Sequence, residues 1–473
     1  MSWETVIGLE VHVQLNTRTK MFCRCRTTFG DPPNTNVCPT CLGLPGALPM
    51  PNAEAVRLAT RGAIALGCTV HETSVFARKN YFYPDLPKGY QISQFDQPLA
   101  TGGRVGFESP ERGRIDVGIT RLHVEEDAGK LVHDRFPGKT AVDLNRAGTP
   151  LAEIVSEPDL RSPAEARAYL VTLRQILVYA GVSDCSMEQG SLRVDANISI
   201  RRPGEPRLGT KTEVKNLNSF ANVERALEAE RERQIALVER GERVAQVTLL
   251  FNAGSGQVRA LRSKEESHDY RYFPDPDLPP LVLAPEWIAE QRAALPELPE
   301  ARRARLELAY GLPAYDARVV TSEVALADYY ESVVGAGVEP KTAANWVMGD
   351  VMTTYNELGT FPVEAERLAG LVALVREGVV SHQAAKRVYT ELAHAPAEEP
   401  KAVAERLGLV QVSDQGALAG WVDEVLAAHP AEVARYKGGE SKLMGFFVGQ
   451  VMKRSKGKAD PKGVQAILQA RLG

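Results

Sequence analysis

A strict alternation of apolar and polar residues runs through positions 7–15, close to the N-terminus. Period-2 alternation is typical of a β-strand with one buried face, so the aliphatic residues at the odd positions should face a core. The opposite face then carries the side chains of Glu10, His12 and Gln14 in a row. Such a face is either an ordinary solvated surface or one wall of a functional site. Similar patterns elsewhere in the chain are needed to distinguish the two.

Three further stretches show the same alternation, at 115–125, 191–200 and 211–217. In the first of them the apolar residues change from odd to even positions, which predicts a β-bulge near Thr120. If the four strands pair in one sheet, its polar face collects the side chains of Glu10, His12, Glu125, Asp195 and Glu213, with arginine and lysine between them. Carboxylates grouped in this way bind a hard cation such as Mg²⁺, and the cations between them bind phosphates. A solvated antiparallel sheet is also mixed in charge, so both interpretations stay open.

Length and charge exclude several classes of protein. The chain has 473 residues, enough for about three domains with a substantial core. Its formal net charge of -4 gives no overall basic signature, so a nucleic-acid site would have to be local. No apolar run approaches the ~18 residues of a membrane span, and no signal-type segment precedes the first strand. We therefore expect a cytoplasmic protein with no membrane partner.

Four of the six cysteines form one group, Cys23, Cys25, Cys38 and Cys41. Turn-forming residues at 30–33 separate two closely spaced pairs, which predicts two knuckles on a hairpin. Four thiolates on paired knuckles suit tetrahedral Zn²⁺, and a cytosolic chain favours zinc over disulfides or redox thiols. Since nothing in the spacing marks an open coordination position, the zinc is expected to be structural.

Up to about residue 283, short strand patterns alternate with a few helical ones, which indicates an α+β fold with an antiparallel sheet. Helical patterns cover 52–66, 162–180 and 219–240, and the second begins with a capping box formed by Ser162 and Glu165. Prolines and glycines in 78–91 predict a loop, which carries Lys79, Tyr81, Tyr83, Lys88 and Tyr90. The stretch 143–158 is interpreted as a turn followed by a short apolar run.

From residue 284 onward helical periodicity dominates, and residues 396–400 are interpreted as a linker. The last part, from residue 437, carries eight lysines and arginines against Glu440 and Asp460. A local basic excess of this kind binds a polyanion such as an RNA backbone, although many charge runs are simply solvated.

Two absences also inform the interpretation. The chain has no Gly-rich loop ending in Lys-Ser or Lys-Thr, so any nucleotide would have to be held without a P-loop. No Gly/Ser-rich amidase motif and no Cys/His glutaminase arrangement is evident. If the protein uses ammonia, we expect another protein to produce it.

Together, these motifs resemble one family, the B subunits of the heterotrimeric tRNA-dependent amidotransferases. The resemblance spans nearly the whole chain in order, and the cysteine quartet is complete. The matching stretches are VIGLEVHVQL (6–15), RKNYFYPDLPKGYQISQ (78–94), HVEEDAGK (123–130), DLNRAGTPLAEIVSEPD (143–159), SLRVDANIS (191–199), TKTEVKNLNSF (210–220), HDYRYFPDPDLP (268–279) and KLMGFFVGQVMKRSKGKADP (442–461).

The resemblance implies three domains: an α+β cradle domain at 1–283 with the zinc knuckles inserted, a helical domain at 284–396, and a mobile helical tail domain at 397–473. It also implies a reaction in which ATP phosphorylates the side-chain carboxylate of mischarged Glu-tRNA(Gln) or Asp-tRNA(Asn). Ammonia from the glutaminase of the A subunit then displaces the phosphate. The implied partners are the A subunit, a small C subunit, the tRNA and a non-discriminating aminoacyl-tRNA synthetase.

The chemistry of this reaction, taken with the polar face of the four strands, leads to a hypothesis for individual residues. Glu10, His12, Glu125 and Glu213 would hold Mg²⁺ with Asp195 beside them, and the alternative for His12 is to position a water or a phosphate. Lys79, Tyr83, Lys88 and Asp275 match positions along the substrate and ammonia path. The tRNA-binding residues would be Lys442, Lys453, Arg454, Lys456 and Lys458 in the basic tail.

Two other hypotheses compete with this one. A free-standing carboxylate–ammonia ligase acting on a small acid would need no tRNA and leaves the basic tail unexplained. A non-catalytic, zinc-containing tRNA-binding scaffold would tolerate the loss of Glu10 or Glu125. Whether ATP hydrolysis requires mischarged tRNA separates the three hypotheses.

Overall fold

The computed structural model describes residues 3–263, 270–411, 415–455 and 457–473. The chain divides into two compact units, Met1–Pro299 and Glu300–Gly473. The first unit combines sheets and helices and the second is helical, so the predicted α+β class is confirmed.

The first unit contains the strands and four of the helices. Its strands are β1 Glu4–Gln14, β2 Thr69–Val70, β3 Thr73–Ser74, β4 Phe76–Asn80, β5 Tyr90–Gln94, β6 Ala100–Thr101, β7 Arg104–Ser109, β8 Gly113–Glu126, β9 Lys130–Phe136, β10 Lys139–Asp143, β11 Pro150–Ser156, β12 Leu192–Arg201, β13 Thr212–Leu217, β14 Val247–Asn252, β15 Gln257–Ser263, β16 Phe273–Pro274 and β17 Leu281–Val282. Its helices are α1 Ala53–Ala65, α2 Pro163–Tyr179, α3 Phe220–Glu239 and α4 Pro285–Ala293.

One large sheet organises this unit. Its strands follow the order β15-β14-β13-β12-β1-β11-β8-β6-β2, and β7 also pairs with β8. β1 lies in the middle, antiparallel to β12 on one side and to β11 on the other. From Ile7 on, the odd residues of β1 are buried in an apolar core shared with α1, α2 and α3, while the even residues face the other side. All four predicted strands belong to this sheet.

The bulge predicted in the second stretch is confirmed. Val155 of β11 pairs with Arg121 of β8, whereas the next residue, Ser156, pairs with Ile119, so Thr120 is the extra residue. The bulge changes which face the later residues of β8 occupy. As a result, His123 lies on the same polar face as the even residues of β1.

The expectation of a purely antiparallel sheet is wrong at one pair of strands. β13 and β14 run parallel to each other. The chain between them contains the 20-residue helix α3, which packs against β12 and β13. This helix brings the chain back, so that β14 begins at the same end of the sheet as β13. Parallel neighbours require such a crossover, because a short turn reverses the chain direction.

Two interpretations of loop structure are also corrected. Lys79 and Tyr90 lie on strands, since β4 and β5 pair with each other around the loop that carries Tyr81, Tyr83 and Lys88. The apolar run within 143–158 is β11, a central strand of the large sheet. Nearly all of β11 is buried on both faces, so it lacks the alternation by which half-buried strands are identified.

The predicted helix starts agree with the structure. Asn52, Ser162 and Ser219 are the N-cap residues of α1, α2 and α3, and each side chain accepts a backbone N–H from the first turn. The capping box at α2 is only half formed. The carboxylate of Glu165 accepts the N–H of Arg161 at 2.7 Å and the side chain of Arg112 at 2.6 Å.

The second unit consists of helices, apart from an isolated bridge between Val380 and Val410 among its described residues. Its helices are α5 Pro299–Tyr310, α6 Ala314–Val320, α7 Val324–Gly335, α8 Pro340–Trp346, α9 Met352–Leu358, α10 Ala365–Arg376, α11 His382–His394, α12 Pro400–Arg406, α13 Gln415–Ala428, α14 Pro430–Lys437, α15 Leu443–Arg454 and α16 Pro461–Leu472, with a π-helical turn at Val347–Val351. They form two apolar cores, one from α5 to α12 and one from α13 to α16.

Side-chain packing continues across both domain boundaries that were predicted from the sequence, at residues 283 and 396. α4 packs against α1, so the first core continues past residue 283. Arg367 donates to the carbonyls of Ala395 and Glu398, and α12 packs on α11, so the segment 396–400 is held by the helices around it. The division into three domains stays a prediction. None of the helices in the described ranges combines the length and the apolar character needed to cross a membrane.

Candidate functional site: an acidic pocket on the polar face of the sheet

The register of four adjacent strands brings the polar side chains into one row. On β1, His12 lies opposite Arg193 of β12 and opposite Glu153 of β11. Glu153 in turn lies opposite His123 of β8. Since residues at facing positions of neighbouring strands have their side chains on the same face, the row Arg193, His12, Glu153 and His123 crosses the polar face of the sheet.

This row forms the floor of a pocket of about 570 Å³, a volume within the range of small-molecule sites. Lys79 and Tyr81, from β4 and the loop after it, form part of the wall. The other predicted side chains of the sheet also line the pocket, namely Glu10, Glu125, Asp195 and Glu213. The predicted convergence of the four strands on one polar face is therefore confirmed, while the roles of the individual residues stay predictions.

Two histidines and two glutamates form the centre of the pocket. The Nε2 atom of His12 lies 3.3 Å from Glu153 and 3.7 Å from Glu125. The Nε2 atom of His123 lies 3.4 Å from Glu153 and 3.7 Å from Glu125. One ligand atom from each of His12, Glu125 and Glu153 falls within 4.8 Å of the others, close enough to share one metal ion. We call the four residues His12, His123, Glu125 and Glu153 the acid–imidazole cluster.

The acid–imidazole cluster is strongly coupled electrostatically. Burial lowers the pKa of His123, but the charges of Glu153 and Glu125 and hydrogen bonds to them outweigh burial and raise that pKa to about 9. The pKa of His12 is raised for the same reasons. Burial opposes ionisation of Glu153, yet the two imidazoles hold the pKa of its carboxyl well below the usual range. The cluster therefore favours the ionised form of the Glu153 carboxylate.

Glu153 is a site residue that sequence reasoning missed. It is the one charged residue in the apolar strand β11, and it is 7% exposed. The sequence does carry one signal for this residue, which is a single carboxylate within a strand-like apolar run. A buried charge without a partner is costly, so such a carboxylate indicates that a partner lies nearby. The partners, His12 and His123, come from two different strands, so their identity depends on the sheet order.

Glu10 and Glu213 lie in the same pocket but have other contacts. Glu10 accepts a hydrogen bond from Asn197 at 3.0 Å. Glu213 accepts one from Thr248 at 2.8 Å and lies 3.1 Å from the ammonium of Lys215, which also pairs with Asp195. On this side of the pocket, one ammonium group therefore serves two carboxylates, while Glu10 is bonded to a neutral amide.

Asp127, just beyond β8, anchors the cationic side of the pocket. Its carboxylate lies 2.7 Å from Arg193 and 3.5 Å from Arg146, and it accepts the side-chain amide of Gln14 at 2.9 Å. Burial raises the pKa of Asp127, but the two guanidiniums outweigh burial, and the pKa is lowered from its ordinary value. Arg193 is thus fixed at the pocket wall next to His12.

We expect Asp127→Asn to destabilise the first unit by about 2 kcal/mol at neutral pH, because two partly buried guanidiniums lose their common counter-ion. A folded-state pKa below the unfolded value gives stability that is present above the unfolded pKa and is lost as the pH falls through the folded pKa. The variant should therefore lose less stability than the wild type when the pH falls below about 4. Urea unfolding between pH 3 and pH 7 measures both effects. Asp116→Asn removes an exposed carboxylate and serves as the control.

The four cysteines converge as predicted, but the predicted hairpin is wrong, because the described segment from Leu15 to Asn52 contains turns and one isolated bridge between Thr19 and Arg26 in place of paired strands. The Sγ atoms of Cys23, Cys25, Cys38 and Cys41 lie within 4.8 Å of one another, and Cys41 is buried. A hydrogen bond from the Cys23 thiol, together with the backbone N–H of Cys38 and the ammonium of Lys20, lowers the pKa of Cys41 to about 4. Burial and neighbouring thiols raise the pKa of Cys25 to about 11. Four clustered sulfurs with one favoured as thiolate fit the donor set of a structural zinc site.

Other predicted path residues lie outside the acidic pocket. Lys88 pairs with Glu126 and lines a separate cavity of about 180 Å³ that also contacts the cysteine group. Asp275 is buried and pairs with Arg78 at 2.9 Å, and Tyr83 is half exposed. Glu125 and Glu126 are consecutive residues of β8 and point to opposite faces, so one strand separates the pocket from this cavity.

The predicted tRNA-binding residues surround α15 of the second unit. Lys442, Lys453, Arg454 and Lys458 are exposed, and Arg454 pairs with Glu424 at 2.7 Å. Lys456 lies outside the described residues, as do the first two residues of the motif at 268–279. The described basic residues lie on the surface around the core formed by α13, α15 and α16.

The chain matches known proteins along its whole length. A family profile described as the GatB/GatE catalytic domain matches residues 5–289, and one described as a GatB domain matches residues 328–472. Curated aspartyl/glutamyl-tRNA(Asn/Gln) amidotransferase B subunits are similar over all of both chains. They include those of Geobacter sulfurreducens at 52% identity, Moorella thermoacetica at 53% and Alkalilimnicola ehrlichii at 52%.

The two profiles cover the α+β unit and most of the helical unit, and each of these relatives is far above the identity at which family membership is secure. The residues of the acidic pocket lie within the part matched by the catalytic-domain profile. The resemblance identified from the sequence motifs is therefore confirmed. The chain belongs to the family of tRNA-dependent amidotransferase B subunits.

Proposed function

We propose that the protein activates the side-chain carboxylate of mischarged Glu-tRNA(Gln), Asp-tRNA(Asn) or both with ATP, and then amidates it with ammonia. The products are Gln-tRNA(Gln) and Asn-tRNA(Asn), and ADP and phosphate are released. The enzyme is a ligase that forms a C–N bond with glutamine as the amido donor. The observation that carries this proposal is the meeting of the acid–imidazole cluster with Arg193 and Lys215 in one pocket of a chain from this family.

The first step brings an ionised carboxylate against a triphosphate. Because the nucleophile is already an anion, it needs no strong base, and the main barrier is repulsion between like charges. Arg193, Lys215 and Lys79 line the pocket and can orient the phosphates and the substrate carboxylate. Mg²⁺, when bound, neutralises the phosphate charge further. By distance, Glu125, Glu153 and the neutral form of His12 fit it, with Glu10 and Glu213 as additional acidic groups in the same pocket.

The second step requires ammonia rather than ammonium ion, since only the neutral molecule has a free electron pair. The A subunit would supply the ammonia, and a small C subunit would complete the heterotrimer. The cavity that holds Lys88 and Glu126, on the opposite side of β8 from Glu125, is suited to the ammonia path. This path would be completed by Lys79, which lines the pocket, and by Tyr83 and Asp275.

The exposed basic residues around α15 would bind the tRNA backbone, and Zn²⁺ would hold the cysteine group in a structural role. A non-discriminating aminoacyl-tRNA synthetase would supply the mischarged tRNA. Translation takes place in the cytoplasm, so we propose that location for the protein.

The experiment combines the chain with its A and C subunits, ammonium chloride, ATP and Mg²⁺, and provides mischarged Glu-tRNA(Gln) and Asp-tRNA(Asn) in parallel. Hydrolysis of the ester followed by identification of the amino acid should yield glutamine, asparagine or both, only when ATP is present. This result also determines which tRNA is served. ATP hydrolysis on a free acid without tRNA would instead support a free-standing ligase, and no ATP turnover under any condition would support a scaffold.

A further inference from the structure

One wall of the acidic pocket is built from aromatic rings in a continuous row. We define the aromatic row as Phe95, Tyr272, Tyr270, Tyr81 and Tyr83, each ring in contact with the next. Phe95 and Tyr272 are stacked, with centroids 4.1 Å apart and planes inclined by 5°. The following contacts are edge-to-face, at 6.0 Å, 5.9 Å and 6.2 Å between centroids.

The aromatic row is accessible from the pocket. Its first four members line the pocket, and all five rings are at least partly exposed, with Phe95 49% and Tyr83 46% exposed. None of the five rings belongs to the apolar core of this unit. Aromatic side chains outside a core are typical of interfaces with a ligand or partner. Their arrangement indicates that they contact a ligand.

Cations accompany the aromatic row. The ammonium of Lys79 lies 4.9 Å from the centroid of the Tyr270 ring and 5.9 Å from that of Tyr81. Burial lowers the pKa of Lys79, but the charges of Glu125 and Glu153 outweigh burial and raise it, so the side chain is cationic at neutral pH. Arg121 and Arg193 line the same pocket. Aromatic faces next to cations form the type of surface that binds single-stranded nucleic acid, with bases stacking and cations contacting phosphates.

We propose that the aromatic row binds the bases of the single-stranded 3′ end of the aminoacyl-tRNA. This inference rests on the proposed function, which requires the aminoacyl ester at that end to reach the acid–imidazole cluster. The adenine of ATP is a second source of a stacking base, but one adenine needs one or two rings. Four rings of the row line the pocket, which fits several consecutive nucleotides.

The direct test measures binding of a short unacylated ribo-oligonucleotide ending in CCA to the full chain assembled with its partner subunits. Stacking of one base contributes about 1–3 kcal/mol. Phe95→Leu and Tyr272→Leu should therefore each weaken binding by about 5- to 150-fold, measured by fluorescence anisotropy. Tyr272→Phe keeps the ring and should bind as the wild type does. Phe136→Leu removes a half-exposed ring outside the pocket and is the matched control.

Kinetics identify which base stacks on the row. In the leucine variants the KM for mischarged tRNA should rise while the KM for ATP stays unchanged. A raised KM for ATP with unchanged oligonucleotide binding would assign the rings to adenine and overturn the proposal, as would wild-type binding by both leucine variants. Phe95 is half exposed, so its substitution should leave the thermal unfolding midpoint unchanged, and this is checked first. If the wild type makes no amidated product, the proposed function fails, and the oligonucleotide titration still decides the role of the row.

Discussion

Replacing Glu125 with glutamine is expected to lower ATP-dependent amidation by about 10²–10³-fold, the usual effect of removing one group that stabilises transition-state charge. Glu125 is 2% exposed and lies within 3.7 Å of both histidines. Glutamine has nearly the same shape, so the fold should be kept while one negative charge is lost. Amidation is measured with ammonium chloride as the nitrogen source, which removes any dependence on glutaminase activity.

Two further variants show whether the effect belongs to the acid–imidazole cluster. Glu153→Gln should cause a loss of similar size, because Glu153 contacts the same two imidazoles. Glu157→Gln changes an exposed carboxylate just beyond β11 and should leave amidation unchanged. Binding of tRNA should be the same in all three variants. Turnover at the wild-type rate in Glu125→Gln would remove this residue from the proposed machinery.

Replacing Cys41 with serine is expected to remove bound zinc and to destabilise the first unit by several kcal/mol. The free energy of a structural zinc site is folding free energy, because the site does not exist in the unfolded chain. For a unit of this size the thermal unfolding midpoint should fall by about 10 °C. Elemental analysis should give one zinc per wild-type chain and none in the variant.

A buried cysteine outside the cluster provides the comparison. Cys68 is 3% exposed and lies in the main core, so Cys68→Ala should keep the zinc and lose only packing energy. A strong chelator should lower the wild-type midpoint and leave that of Cys41→Ser unchanged. A wild-type protein that contains no zinc after purification in zinc-supplemented medium would contradict the assignment.

Local patterns were sufficient for a large part of this architecture. Alternation in 7–15 identified the central strand, and the change of phase near Thr120 located a bulge that pairing confirmed. Side chains such as Asn52, Ser162 and Ser219 marked helix starts because they satisfy backbone N–H groups a few residues away. The four cysteines could be grouped because they lie within 19 residues of one another and two of the turns between them are marked by glycine and proline.

The features that escaped prediction depend on residues far apart in the chain. β11 has a neighbouring strand on each side, and its side chains are buried on both faces of the sheet. Its sequence therefore shows an apolar run instead of an alternation. β13 and β14 pair in parallel because of where α3 packs, and the packing position of a helix cannot be predicted from its local sequence pattern. The separation of Lys88 and Asp275 from the pocket likewise depends on partners far away in the chain, since Lys88 pairs with Glu126 and Asp275 with Arg78.

The sequence by itself determined the strands that carry Glu10, His12 and Glu125, the helices and their caps, the cysteine group and the family, since each depends on neighbouring residues or on motif order. Only the tertiary structure decided that β11 lies between β1 and β8 and thereby places Glu153 between two imidazoles. It also decided that five aromatic rings from separate segments meet in one row. The physical reason is that burial and charge pairing act between side chains close in space, and strand order sets which side chains those are.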